Sequence, residues 1–88
     1  MTNERLIEII NKVNNSKDYV LLIDGDTACV YEGWINIVGE YGDESSYPLS
    51  SLRIINEHDN GTEFYIHLNN DGYNLQIAKI VDINELLG

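Results

Sequence analysis

Residues 63–80, Glu-Phe-Tyr-Ile-His-Leu-Asn-Asn-Asp-Gly-Tyr-Asn-Leu-Gln-Ile-Ala-Lys-Ile, constrain the fold of this chain more than any other stretch. Phe64, Ile66 and Leu68 alternate with Glu63, Tyr65 and His67, the period-2 pattern of a strand with one buried face. Asp71-Gly72 offers the residue pair of a two-residue type I′ turn, which needs φ > 0 at both central positions. With that turn, Leu68 faces Leu75 and Ile66 faces Ile77. A loop at Asn70-Asp71 shifts the partners by two residues and keeps Phe64, Ile66 and Leu68 on the apolar side. Either register gives an antiparallel hairpin with one wet face.

The rest of the chain supplies what that hairpin needs. Residues 3–13 place Leu6, Ile9 or Ile10, and Val13 at helical spacing, with Ile7 widening the stripe. Thr2 or Asn3 can cap this helix, and Asn14-Asn15-Ser16 stops it. Tyr19–Ile23 and Thr27–Tyr31 read as strands joined by Asp24-Gly25-Asp26. Glu32-Gly33 is a bulge or a further turn, so Trp34–Val38 continues the second strand or forms a third. Residues 39–48 lose the pattern and read as a loop. Leu52–Asn56 begins another strand, Asn60-Gly61 is a second turn signal, and residues 52–58, 62–68 and 73–80 form a meander. Asp82, three residues before Glu85, has the form of a capping box for a short C-terminal helical turn. The expected fold is α+β, one domain over residues 1–88, with an N-terminal helix on a four- to five-stranded antiparallel sheet.

Charge narrows the function classes. Fifteen acidic residues against five basic ones give a net charge of −10, which repels nucleic acid and anionic membrane and makes basic surfaces the natural partners. Six Tyr, one Phe, one Trp and abundant Ile, Leu and Val distinguish the chain from disordered acidic sequences. The N-terminus lacks the basic and apolar regions of a secretory signal, and the longest apolar run, Tyr19–Ile23, is too short to span a membrane. A cytoplasmic location is expected. Oligomeric state is left open.

Candidates for catalysis are few. Cys29 with His58 or His67 is formally a nucleophile and a base, but Cys29, between Ala28 and Val30, reads as a buried thiol. Asp24-Gly25-Asp26 lacks the further oxygen ligands of a calcium loop. A non-enzymatic protein is expected, with no catalytic residue, metal or cofactor. Between Asp18 and Ala78, by contrast, stand eleven carboxylates and one base, Arg53. Those at turns and in the 39–48 loop, Asp24, Asp26, Glu32, Glu40, Asp43, Glu44, Asp59 and Asp71, together with Tyr41, are the candidate partner-binding residues. Tyr31, Tyr47, Tyr65 and Tyr73 are further candidate anchors.

Leu6-Ile7-Glu8, Lys17-Asp18-Tyr19-Val20 and the hairpin Asn69-Asn70-Asp71-Gly72 resemble segments of the small acidic anti-CRISPR proteins of phages that inhibit Cas9. The resemblance implies a short helix leading into an antiparallel sheet, with acidic side chains occupying the groove of guide-loaded Cas9 that would recognise the PAM duplex. Charge and resemblance together imply an acidic inhibitor that mimics DNA on a basic, nucleic-acid-binding partner inside a bacterial cell. The alternative is another interaction module, such as an immunity protein neutralising a basic toxin or a subunit of an assembly.

Overall fold

The computed structural model describes residues 1–80. The expected C-terminal helical turn lies outside the described residues. Helix α1 spans Asn3–Asn14, and Thr2 is its cap, its hydroxyl accepting from the Arg5 N–H at 3.1 Å. Leu6, Ile10 and Val13 are buried, as the stripe predicts.

Among the described residues seven strands follow: β1 Tyr19–Ile23, β2 Asp26–Tyr31, β3 Trp34–Val38, β4 Glu44–Pro48, β5 Arg53–Glu57, β6 Glu63–Leu68 and β7 Asp71–Lys79. They form one antiparallel sheet in the order β4-β3-β2-β1-β7-β6-β5. The α+β class holds, and the strand number is corrected from four or five to seven. Glu32-Gly33 is a turn, with φ of 49° and 81°, so β3 is a strand of its own. Residues 44–48, expected as loop, pair with β3 through Val38↔Glu44, Asn36↔Ser46 and Trp34↔Pro48. Glu-Ser-Ser-Tyr-Pro carries no apolar alternation because β4 is an edge strand held by backbone bonds rather than by burial.

The register of the β6–β7 hairpin is corrected too. Its loop is Asn69-Asn70, with φ of 52° and 70°, and Phe64 rather than Leu68 faces Leu75. Asparagine tolerates the left-handed region that the turn requires, so two asparagines displaced the expected Asp71-Gly72. Gly72 serves another purpose. A Cβ there would overlap the Tyr65 ring, which lies across it. The expected two-residue Asn60-Gly61 turn is in fact a wider loop closed by the His58 N–H to the Glu63 carbonyl at 2.9 Å. In it, the Asn60 side chain accepts from the amides of Thr62 and Glu63.

Among the described residues fourteen apolar ones fill the concave side, including Leu21, Ile23, Ile35, Phe64, Ile66, Leu68 and Leu75 from the sheet and Leu49 and Leu52 from the crossover between β4 and β5. That crossover, a 3₁₀ turn over Leu49–Ser51, joins the two edge strands, and the Ser51 hydroxyl accepts from the Asn69 N–H at 3.1 Å. The sheet therefore curls around its core. Each end of α1 is tied to a strand by an asparagine. Asn3 Oδ1 accepts from the Ile54 N–H at 2.9 Å. Asn14 accepts from the Val30 N–H at 2.8 Å and donates to the Val30 carbonyl at 2.9 Å. Asn14 thus makes the two bonds that a neighbouring strand would make.

Candidate functional site

In an antiparallel sheet, alternate turns lie at one end. Here β1, β3 and β6 run the same way. The Asp24-Gly25 turn and the Gly39–Asp43 loop meet at one end, where Gly25 and Asp26 line a cleft with Gly39 and Glu40. The Asn69-Asn70 turn stands farther out, because β1 pairs with β7 only as far as Leu75 and β7 runs on to Asp71. Asp24, Asp26, Glu40, Asp43 and Glu44 therefore share one end, and Asp71 lies beyond them at the tip of the β6–β7 hairpin. Glu32 is in the β2–β3 turn at the opposite end, and Asp59 is in the β5–β6 loop, whose His58 lines a cleft with Gly25. The expected acidic surface is divided, and five of its eight carboxylates share one end.

Not all five are free to meet a partner. Asp24 Oδ1 accepts from the Asn74 N–H at 2.8 Å, while the Asp24 N–H donates to the Asn74 carbonyl at 2.8 Å, so this side chain fastens the turn to β7. Asp26 is half-buried opposite Ile23 and, with Glu40, lines a shallow cleft of about 460 Å³. The 39–48 segment is no long loop. The Gly39 N–H donates to the Asp43 carbonyl at 2.7 Å, Gly42 takes φ of 83°, and the Asp43 carboxylate folds over Gly39 where a Cβ would stand. Tyr41 is left at the tip, 92% exposed.

Compensating charge is scarce. Among the described residues the ion pairs are the N-terminus with Glu57 at 3.4 Å and Arg5 with Glu8 at 2.9 Å, and neither includes a carboxylate of the acidic end. Arg53 aims its guanidinium at the carbonyls of Ser50 and Leu52, at 3.1 and 2.8 Å, rather than at a carboxylate.

Among the described residues no helix lies on the convex face of the sheet. That face presents Val20, Leu22, Cys29, Tyr31, Trp34, Asn36, Val38, Glu44, Ser46 and Ala78, all on the side opposite the core. Tyr31 and Trp34 face each other across the Glu32-Gly33 turn, 73% and 51% exposed. With Cys29, Glu32, Asn36, Glu44 and Ser46 they line a cavity of about 320 Å³. Sequence reading assigned Trp34 no role, although its spacing from Tyr31 across an x-Gly turn is the signal that pairs them.

Cys29 is exposed, which corrects the expected buried thiol. Its apolar neighbours Ala28 and Val30 point to the core, so strand alternation turns Cys29 outward. Cys29 and His67 lie on β2 and β6, with β1 and β7 between them. At about 4.8 Å per strand, that is on the order of 14 Å, too far for a hydrogen bond. Of the expected tyrosine anchors, Tyr31 and Tyr41 are exposed, whereas Tyr47 and Tyr73 pack edge to face on the core side with centroids 5.6 Å apart. Tyr65 lies over Gly72, edge to face with His67 at 5.8 Å. Among the described residues no three of His, Cys, Asp and Glu are grouped to hold a metal ion, and no helix is long and apolar enough to cross a membrane.

No family model, curated protein or solved structure matches the chain.

Proposed function

We propose that this protein is a non-enzymatic acidic inhibitor that docks on the basic, nucleic-acid-binding surface of a partner protein within a bacterial host cell. One observation carries this reading: two connections, β1–β2 and β3–β4, deliver five carboxylates to one end of the sheet, and neither ion pair formed among the described residues involves any of them. Crowded, unneutralised charge of one sign raises the energy of the free protein, and a surface rich in Lys and Arg relieves it. Duplex DNA meets such a surface with closely spaced negative charge, so the acidic end competes for the same cations. The resemblance to Cas9-inhibiting anti-CRISPR proteins makes a guide-loaded CRISPR effector the first partner to test.

The test is competition. Purified Cas9–guide complex, and any partner recovered from the host lysate, is titrated with labelled target DNA in the presence of excess protein. Mutually exclusive binding that weakens with salt supports the reading. A partner that binds DNA and this protein together overturns the mimicry.

A second reading is favoured by the exposed Tyr31–Trp34 pair: an interaction module of another kind, such as an immunity protein for a basic toxin, anchored by aromatics rather than by charge alone. A partner with no nucleic-acid activity selects it.

A further inference from the structure

We infer that the cavity on the convex face lined by the Tyr31–Trp34 pair is a receptor for an arginine side chain of a basic partner. This deepens the reading above by naming the contacting group, and it rests on that reading only for the sign of the partner's charge. The cavity has two kinds of wall. Tyr31 and Trp34 are directly opposed across β2 and β3, at the mouth of the Glu32-Gly33 turn, and each keeps more than half of its surface in water. Large aromatics left exposed in a chain with a full core are an unspent contact surface. Glu32 and Glu44 complete the lining with negative charge, Asn36 and Ser46 add neutral polar groups, and no base lines it.

The chemistry that answers both walls at once is a guanidinium. It is planar, stacks on an indole or phenol face, and offers N–H groups along its edge to carboxylates. An ammonium is a compact, strongly hydrated charge that satisfies the carboxylates but stacks poorly. An acidic or purely apolar group leaves Glu32 and Glu44 facing it without compensation. A second copy of this chain would bring two strongly negative bodies together and is disfavoured for the same reason. Ser46 already donates to Asn36 Oδ1 at 2.8 Å, so the polar floor is ordered before any ligand arrives. Cys29 lines the same cavity, which makes its thiol a built-in reporter of occupancy.

The experiment uses fluorescein-labelled alternating Gly-Arg peptide, with Gly-Lys and Gly-Glu peptides of equal length as comparisons. Binding to the full chain is read by anisotropy at low salt, and occupancy by the rate at which a disulfide reagent labels Cys29. The Gly-Arg peptide is expected to bind at least tenfold more tightly than Gly-Lys, and to slow Cys29 labelling at least fivefold. Trp34→Ala and Tyr31→Ala should each weaken the Gly-Arg peptide about tenfold. Glu40→Gln with Asp43→Asn, at the other end of β3, should change it less than threefold. Two exposed aromatics give two independent variants should one of them fold poorly. Equal binding of the Arg and Lys peptides overturns the proposal. So does unchanged affinity in the aromatic variants, or a loss confined to Glu40→Gln/Asp43→Asn. Those outcomes leave the DNA competition result standing, so the two readings fail separately.

Discussion

The hydroxyls of Tyr47 and Tyr73 share a hydrogen bond although β3, β2 and β1 lie between their strands in the sheet. Only a strongly curled sheet brings them together. Tyr47, burial, and then the nearby Asp71 and Asp24 push the Tyr73 phenol up to about 12 from its ordinary 10.0. Between those values the native chain holds a proton that the unfolded chain has lost. Stability therefore falls as pH rises from about 10 to about 12, and the Tyr73 contribution is fully present below about 10. Urea midpoints measured across that window should drop more steeply for the parent than for Tyr73→Phe or Tyr47→Phe. Parallel curves would show that the contact does not hold the proton.

Gly72 and Tyr65 are expected to be coupled. A methyl group at position 72 meets the Tyr65 ring, so Gly72→Ala should cost roughly 1–3 kcal/mol, the usual range for overpacking. In a Tyr65→Ala background the same change meets open space and should cost much less. A double-mutant cycle by denaturant unfolding checks this, and additive effects would refute the steric account.

Asn14→Ala removes both bonds to Val30 and should lower stability by about 1–2 kcal/mol, each net hydrogen bond contributing about 0.5–1.5. Hydrogen exchange at the Val30 amide should speed up with it. An unchanged rate at that amide would place the helix end elsewhere in solution.

Glu40, Asp43 and Glu44 changed together to Gln, Asn and Gln should weaken binding of a basic partner by about 2 kcal/mol or more, as close charge pairs do. The melting temperature should move only a few degrees, because exposed surface substitutions usually change stability by less than about 0.5 kcal/mol. Calorimetric titration against the partner decides it. Parent-like binding by the triple variant would move the interface away from this end of the sheet.

Much of the fold was written in simple periodicities. The helix stripe, the β6 alternation and the x-Gly turns each name their own structure, because burial and positive φ leave few residue choices. What escaped notice was held by other forces. β4 carries no burial signal, since an edge strand is specified by its neighbour's backbone. The β6–β7 register hung on which of several turn-competent residues took the loop, and Asn69-Asn70 won over an equally plausible Asp71-Gly72. At the candidate site, charge was legible but placement was not. Asp24 has the sequence context of the other turn acids, and only the fold shows its carboxylate accepting from the Asn74 N–H. Cys29 has two apolar neighbours, yet strand alternation sets it on the opposite face from Ala28 and Val30.

The central seam of the sheet joins β1 to β7, residues 19–23 to residues 75–79, whereas every other pairing links strands adjacent in sequence. On a ribosome, the first meander, β1 to β4, can pair locally while its innermost strand still has an open side. Phe64, Ile66, Leu68 and Leu75 do not yet cover its core. The sheet is completed only when β7 has emerged, and one long-range closure then buries both halves together. A nascent chain stalled before residue 71 should accordingly be protease-sensitive throughout, where a chain built of two independent halves would already protect the first.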